Sequence, residues 1–200
     1  MIINHDPEFV ITLQRVIEFI GTFAFALSGI RLAASKHYDW LGGFVCGIAV
    51  AIGGGTIRDV MLGIRPFWML SPIYMICTLF AQCVVIVCHH YLRRLDTTWF
   101  LFDTLGLALF NIAGIQKTLE CGFPFWVAII MGCITGAAGG VIRDVLLNEE
   151  PVIFRREIYA MACVVGGLTY WLLSWLQVSL YITVIATFAI VCAIRFLAVR

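Results

Sequence analysis

The chain has 200 residues, of which 62% are hydrophobic and only 12% are charged. An average soluble domain carries about 25% charged residues, so this composition excludes an ordinary soluble protein and indicates a membrane protein. The net charge is +1 and no long basic run is present, so we expect no nucleic-acid partner.

Seven apolar segments follow one another along the chain, joined by short polar or proline-bearing links. They run from about Phe9 to Ile30, Trp40 to Leu62, Leu70 to Tyr91, Trp99 to Ile115, Phe123 to Leu147, Ile158 to Leu176 and Val178 to Leu197. A membrane-spanning helix needs about 20 mostly apolar residues, so each segment predicts one such helix. We therefore expect one all-α polytopic membrane domain over residues 1–200, surrounded by membrane lipid.

A motif in the second segment recurs in the fifth. Gly-Gly-Gly-Thr-Ile-Arg-Asp-Val ends at Val60, and Ala-Gly-Gly-Val-Ile-Arg-Asp-Val ends at Val145, so the copies lie 85 positions apart. At the same spacing, Glu18 aligns with Asp103. We therefore expect a first three-helix repeat over 9–91, a second over 99–176, and a seventh helix over 178–197. Because three is odd, the second repeat enters the membrane from the opposite side, which makes the repeat inverted.

Basic residues between the segments predict the orientation. The face that holds the first, third and fifth links and the C-terminus carries eight: Arg31, Lys36, Arg93, Arg94, Arg155, Arg156, Arg195 and Arg200. The other face carries three: Arg15, Arg65 and Lys117. Cytoplasmic loops are enriched in Lys and Arg, so we expect an N-terminus outside and a C-terminus in the cytoplasm.

Two glycine runs stand inside the second and fifth segments. They consist of Gly53, Gly54 and Gly55 in the second segment, and of Gly139 and Gly140 in the fifth. Each glycine costs roughly 1 kcal/mol relative to alanine in a helix interior, so we expect both helices to bend or unwind there. Unwinding frees carbonyl oxygens toward a cavity, where they can replace the water shell of a cation. The alternative is that the glycines only allow close helix packing.

Charged residues adjoin both glycine runs: Arg58, Asp59, Arg143 and Asp144. Charge in the membrane interior is costly, so these residues are expected to face a protein interior or a hydrated path. Neighbours on a helix point in different directions, so Arg58 is expected to pair with Glu18, Asp103 or Asp144 rather than with Asp59. By the internal repeat, a partner for Arg58 implies an equivalent partner for Arg143.

The charges inside the segments favour cations. Two arginines stand against four acids, so the interior is net negative by two if all ionise, which attracts cations. The alternative is that these pairs only fix the register of the helices. The eight cysteines form no C-x-x-C pair, and no Walker, H-E-x-x-H or nucleophile-elbow motif is present. We expect no enzyme activity, metal site or cofactor.

The doubled glycine run followed by Arg-Asp-Val resembles the trimeric intracellular cation channel family, in particular its prokaryotic branch, also labelled a glycine transporter family. The resemblance covers essentially the whole chain. It implies a homotrimer with one pore through each protomer. It also implies that the second helix is kinked at Gly53–Gly55 and the fifth at Gly139–Gly140. It also implies a location in the prokaryotic inner membrane. Ala138 departs from a full triple glycine, which implies a milder second kink.

Residues and resemblance together predict a passive channel for monovalent cations. The resemblance makes potassium the expected ion, with Arg58, Asp59, Arg143 and Asp144 shaping the electric field along the pore. The alternative is a secondary carrier for glycine or a similar small zwitterion. That carrier would use the same site, and the inverted repeat suits its alternating access.

Overall fold

The computed structural model describes residues 7–88, 98–155 and 158–198, which form helices joined by short loops. These described residues contain seven main helices: α1 (Pro7–Ser35), α2 (Trp40–Met61), α3 (Ile73–Val87), α4 (Thr98–Glu120), α5 (Phe125–Leu146), α6 (Ile158–Trp175) and α7 (Leu180–Leu197). Two single turns, Phe67–Leu70 and Val152–Arg155, follow α2 and α5. The all-α membrane fold expected from the seven apolar segments is confirmed.

Six of these helices are long and apolar enough to cross a membrane, whereas α3, with 15 residues, is shorter. The predicted third segment reached Tyr91, and residues 89–97 lie outside the described part of the chain. Helices α1 and α4 run about five residues past their predicted ends, to Ser35 and Glu120. The added residues include Arg31 and Ser35 in α1 and Gln116, Lys117 and Glu120 in α4, so hydropathy placed both ends too early.

The helix ends repeat the internal symmetry. Gly63 follows α2 with φ 72°, and Asn148, at the equivalent position after α5, has φ 53°. The next residue then bonds back into each helix, from Ile64 N to the Asp59 carbonyl at 2.9 Å and from Glu149 N to the Asp144 carbonyl at 2.8 Å. A left-handed residue followed by such a bond is a common way to end a helix. Both copies of the motif therefore end in the same backbone geometry.

The two repeats pack against each other through matching helices. Helix α1 packs on α4 and α2 packs on α5, while α7 packs on α6 and α4. The core at these crossings includes Phe25, Val50, Leu107 and Phe110, all nearly inaccessible to solvent. The crossing of α2 with α5 brings the two copies of the motif into one central region.

The glycine runs do not unwind their helices, which corrects one part of the sequence expectation, while the bend expected there stays a prediction. Residues 53–55 and 139–140 are α-helical, within α2 and α5 that run without interruption. A methyl group on Gly54 would collide with the Thr135 carbonyl of α5, and one on Gly139 would lie 2.8 Å from the Val50 carbonyl of α2. The glycines let two backbones approach closely, and this packing compensates for their low helix propensity.

Four of the basic residues counted for the orientation lie within the main helices and not in loops: Arg15, Arg31, Lys117 and Arg195. Arg31 lies in α1 and Arg195 lies in α7, and both side chains are buried. Without these four, six basic residues remain on the face with the C-terminus and one, Arg65, remains on the other, with Arg93, Arg94, Arg156 and Arg200 outside the described residues. The imbalance keeps its direction, so an external N-terminus stays a prediction.

Candidate functional site

The first cluster of buried charge, here called the Arg58 cluster, joins α1 and α2. Arg58 is 0% exposed and donates from Nη2 to Oε1 of Glu18 at 3.0 Å. Its Nε donates to Oδ1 of Asp59 at 2.7 Å. The second oxygen of Asp59 accepts from the backbone N–H of Phe67 at 2.8 Å, and Tyr74 donates to Oε2 of Glu18 at 3.3 Å. The loop after α2 and the start of α3 are thus tied to the same charges.

The second cluster, here called the Arg143 cluster, joins α1, α4, α5 and α7. Arg143 is 0% exposed and donates from Nη1 to Oδ1 of Asp103 at 2.6 Å and to Oγ of Ser28 at 2.8 Å. Its Nε donates to Oδ1 of Asp144 at 2.9 Å. Arg195 donates from Nη2 to the other oxygen of Asp103 at 3.0 Å. One buried carboxylate therefore holds two arginines.

The two clusters are built from equivalent positions of the internal repeat. Their members correspond in five pairs, each 85 positions apart: Glu18 and Asp103, Arg58 and Arg143, Asp59 and Asp144, Phe67 and Val152, and Tyr74 and Tyr159. The contacts correspond as well, since Val152 N donates to Oδ2 of Asp144 at 3.0 Å and the Tyr159 hydroxyl lies 3.5 Å from Asp103. The structure thus preserves a two-fold relation among side chains as well as among helices.

Burial and aromatic rings strengthen these ion pairs. The guanidinium carbon of Arg58 lies 5.7 Å from the ring centre of Phe67, and that of Arg143 lies 5.1 Å from the ring centre of Trp99. Opposite charges attract more strongly away from water, and an aromatic face adds attraction for a cation. Because an unpaired charge in this environment is costly, both clusters are expected to hold their helices rigidly in register.

The sequence offered three candidate partners for Arg58, of which the structure selects Glu18, and it misjudged one contact. Glu18 is the long-range partner of Arg58, and Asp103 is the equivalent partner of Arg143. The expectation that Asp59 does not face Arg58 was wrong. The arginine side chain is long enough for its Nε to reach the carboxylate of the next residue, although the two Cβ atoms point in different directions.

Arg195 is the functional-site residue that sequence reasoning missed. It was counted as a loop charge, but its side chain is 1% exposed and ion-paired with Asp103. It interrupts an otherwise apolar run of α7, and that pattern was the available signal. With Arg195 included, three arginines face four acids in the two clusters. The buried network is net negative by one, not by two.

A cavity of about 420 Å³ opens beside the Arg58 cluster, where α2 and α4 end. Asp59 reaches its wall, and the rim carries charges of both signs from Arg65, Lys117 and Glu120. Ile64 and Cys121 also line it. The cavity therefore gives a route from the surface to a buried carboxylate.

At the equivalent place beside the Arg143 cluster, an ion pair joins the α1–α2 loop to the loop after α5. The counterparts of Cys121 and Ile64 are Lys36 and Glu149, which form an ion pair there. Nearby, the Tyr38 hydroxyl donates to the Leu146 carbonyl at 3.1 Å. These contacts tie the α1–α2 loop to the end of α5. The two ends of the molecule thus differ: a cavity lies beside the Arg58 cluster, whereas an ion pair spans the equivalent place beside the Arg143 cluster.

The internal repeat of apolar helices and the buried pairs of arginines and acids together define a polytopic α-helical membrane protein with a charged interior. Residues 15–90 and 100–175 each match the family model described as Glycine transporter. The two matches cover most of the chain, so the chain belongs to this family.

Relatives and solved structures agree with this assignment. The chain is 41% identical over 157 residues to the UPF0126 inner membrane protein YadS of Escherichia coli (strain K12), covering 77% of this chain and 75% of that protein. It is 33% identical to the UPF0126 membrane protein YvgT of Bacillus subtilis (strain 168), covering 90% and 89%. A crystallised TRIC trimeric intracellular cation channel orthologue from Rhodobacter sphaeroides superposes with a TM-score of 0.88 at 32% identity, covering 93% and 96%.

A second solved structure, which addresses the structural basis for conductance through TRIC cation channels, superposes with a TM-score of 0.80 at 33% identity, covering 92% of both chains. The resemblance stated from the repeated motif is thereby confirmed. These relatives are bacterial membrane proteins by name, in keeping with the apolar helices of this chain.

Proposed function

We propose that this protein is a membrane channel for monovalent cations, with potassium as the permeant ion. The observation that carries the proposal is the pair of equivalent clusters of buried charge, one near the C-terminal end of α2 and the other near the C-terminal end of α5, in which acids outnumber arginines. An excess of negative charge in a site of low dielectric constant concentrates cations and repels anions. The likeness to solved TRIC cation channels supports the same function.

The proposed pathway follows α2 and α5 through each protomer. The cavity beside Asp59 is its entrance, and the Arg58 and Arg143 clusters are its charged lining. Gly53, Gly54 and Gly139 keep the two helices close along this route, whereas Gly55 lies against Phe67 and Gly140 lies against Tyr159. Because their backbones stay helical, we assign selectivity to side-chain carboxylates and not to freed carbonyl oxygens.

Assembly and orientation complete the proposal. The solved relatives are named as trimeric channels, and we assign a homotrimer to this chain on that basis. The basic loops support an external N-terminus, which places the open cavity on the outer face and the bridge between Lys36 and Glu149 on the cytoplasmic face. Chemical cross-linking in native membranes tests the trimer, and protease protection of terminal tags tests the orientation.

A second candidate function is a carrier for glycine. The family description names glycine, and the rim of the cavity offers both cationic and acidic side chains, which suit a zwitterion. A carrier needs the open and bridged ends to exchange roles, and an inverted repeat makes such an exchange geometrically simple.

Purified protein in liposomes separates these functions. We expect a potassium gradient to drive current through proteoliposomes and no current through protein-free liposomes. In the same preparation, uptake of labelled glycine should match the protein-free background. Saturable glycine uptake without potassium current would reject the channel and support the carrier.

A variant of the Arg58 cluster tests whether the potassium current depends on this cluster. Glu18→Gln removes one buried negative charge while keeping the shape of the side chain, so potassium current should fall. The matched control is Glu150→Gln, which neutralises an exposed acid outside both clusters and should leave the current unchanged. Equal currents in both variants would place the pathway elsewhere.

A further inference from the structure

Arg195 belongs to α7, the helix that has no counterpart in the internal repeat. Its Nη2 atom lies 3.0 Å from Oδ2 of Asp103. Its guanidinium carbon lies 4.5 Å from the ring centre of Tyr159 and 4.7 Å from that of Phe100. A carboxylate and two aromatic rings thus hold a cation that stays charged at any ordinary pH. The seventh helix therefore adds a fixed positive charge to one of two otherwise equivalent clusters.

Without Arg195 the two clusters carry the same formal charge. The Arg58 cluster contains Glu18, Asp59 and one arginine, which gives a net charge of −1. Asp103, Asp144 and Arg143 give the same sum, and Arg195 brings the Arg143 cluster to zero. The two ends of the buried network therefore differ by one elementary charge, and a single side chain makes the difference.

We infer that Arg195 makes cation flow through the protein larger in one direction than in the other. The inference rests on the proposed channel function and deepens it. A cation gathers more readily at the end with net charge −1 than at the neutral end. Flow that starts from the charged end therefore exceeds flow in the other direction at equal driving force. Arg195 acts through the electric field at Asp103 and does not have to touch the ion.

Single channels in a planar bilayer with equal potassium concentrations on both sides test the inference. The quantity measured is the larger current divided by the smaller at voltages of equal size and opposite sign, which does not depend on the direction of insertion. We expect a ratio clearly above one for the native protein and a ratio markedly closer to one for Arg195→Gln. The change should be about twofold or more at about 0.1 M salt.

Two further variants separate charge from structure. Arg195→Lys keeps the charge and loses the planar guanidinium, so it should retain the native ratio. The double variant Arg195→Gln with Asp103→Asn returns the Arg143 cluster to net zero, so it should restore asymmetry. The double variant also leaves no unpaired carboxylate at Asp103. It therefore tests the inference even where Arg195→Gln alone fails to fold.

The outcomes distinguish this inference from the channel proposal. A native protein without potassium current would overturn the proposed function. A native protein that conducts asymmetrically, with an unchanged ratio in folded Arg195→Gln, would overturn the role of Arg195 alone. A ratio that Arg195→Lys abolishes, or that the double variant fails to restore, would show that packing and not charge matters, and would also overturn it.

Discussion

The Arg58 and Arg143 clusters have the same plan but different surroundings. In each, an arginine bonds its neighbouring aspartate and an acid 40 positions earlier in the chain. The Arg143 cluster has two additional partners, Ser28 and Arg195. The position equivalent to Ser28 in the other repeat is Ala113, which has no hydroxyl. The two repeats thus share a common core of ion pairs. Ser28 and Arg195 add a hydrogen bond and a positive charge to the Arg143 cluster alone.

The largest expected effect on stability comes from removing the acid that lies 40 positions before the arginine in each cluster, Glu18 or Asp103. Asp103→Ala leaves two buried arginines without their shared carboxylate, so we expect a loss of about 3–5 kcal/mol in the free energy of unfolding. Glu18→Ala should cost less, because Arg58 keeps its ion pair with Asp59. Denaturant titration in detergent micelles measures both variants. Equal losses would mean that Arg195 does not depend on Asp103.

Substitutions of glycine test the crossing of the two helices. Gly54→Ala places a methyl group against the Thr135 carbonyl and should destabilise the protein by about 1–3 kcal/mol through overpacking. The matched control is Gly43→Ala in the same helix, where the nearest side-chain atom lies 3.7 Å from the added carbon. It should be neutral or stabilising, because alanine favours the helix. A stable Gly54→Ala protein would contradict the close backbone approach.

Ser28→Ala makes the Arg143 cluster more like the Arg58 cluster. It removes one buried hydrogen bond to Nη1 of Arg143, and bonds to charged groups contribute about 1.5–3 kcal/mol. Asp103 still bonds the same nitrogen, so we expect a loss near the lower end of this range. The same titration measures it. No loss of stability would show that the hydroxyl is dispensable.

The smallest effect is expected at the bridged end. Lys36→Ala removes an ion pair whose side chains are 41% and 36% exposed, and exposed pairs contribute at most about 1 kcal/mol. The difference from the native protein should disappear at high salt, because exposed charges are screened. A large, salt-independent loss of stability would indicate that Lys36 closes this end more firmly than its exposure implies.

The sequence predicted the features that follow from duplication. The repeat left three acids open as partners of Arg58 but predicted that the partner of Arg143 would be the equivalent one, and Glu18 and Asp103 confirm this. Unbroken apolar runs predicted the number and order of the helices. These inferences succeeded since spacing along the chain carries over directly to position in the fold.

Features that depend on packing were beyond the sequence. Helix propensity predicted unwinding at Gly54, but the fit of α5 against that glycine keeps the helix intact. A residue count placed Arg195 in a loop, although α7 buries it against Asp103. In both cases a contact between segments distant in sequence outweighed the local preference.

The most direct test of the central claim is the permeability of potassium relative to chloride, measured from the reversal potential of proteoliposome membranes under a salt gradient. The claim is that the buried acids select cations, so Glu18→Gln should lower this ratio several-fold, whereas Glu150→Gln should keep the native value. A folded Glu18→Gln protein with native selectivity would contradict the account.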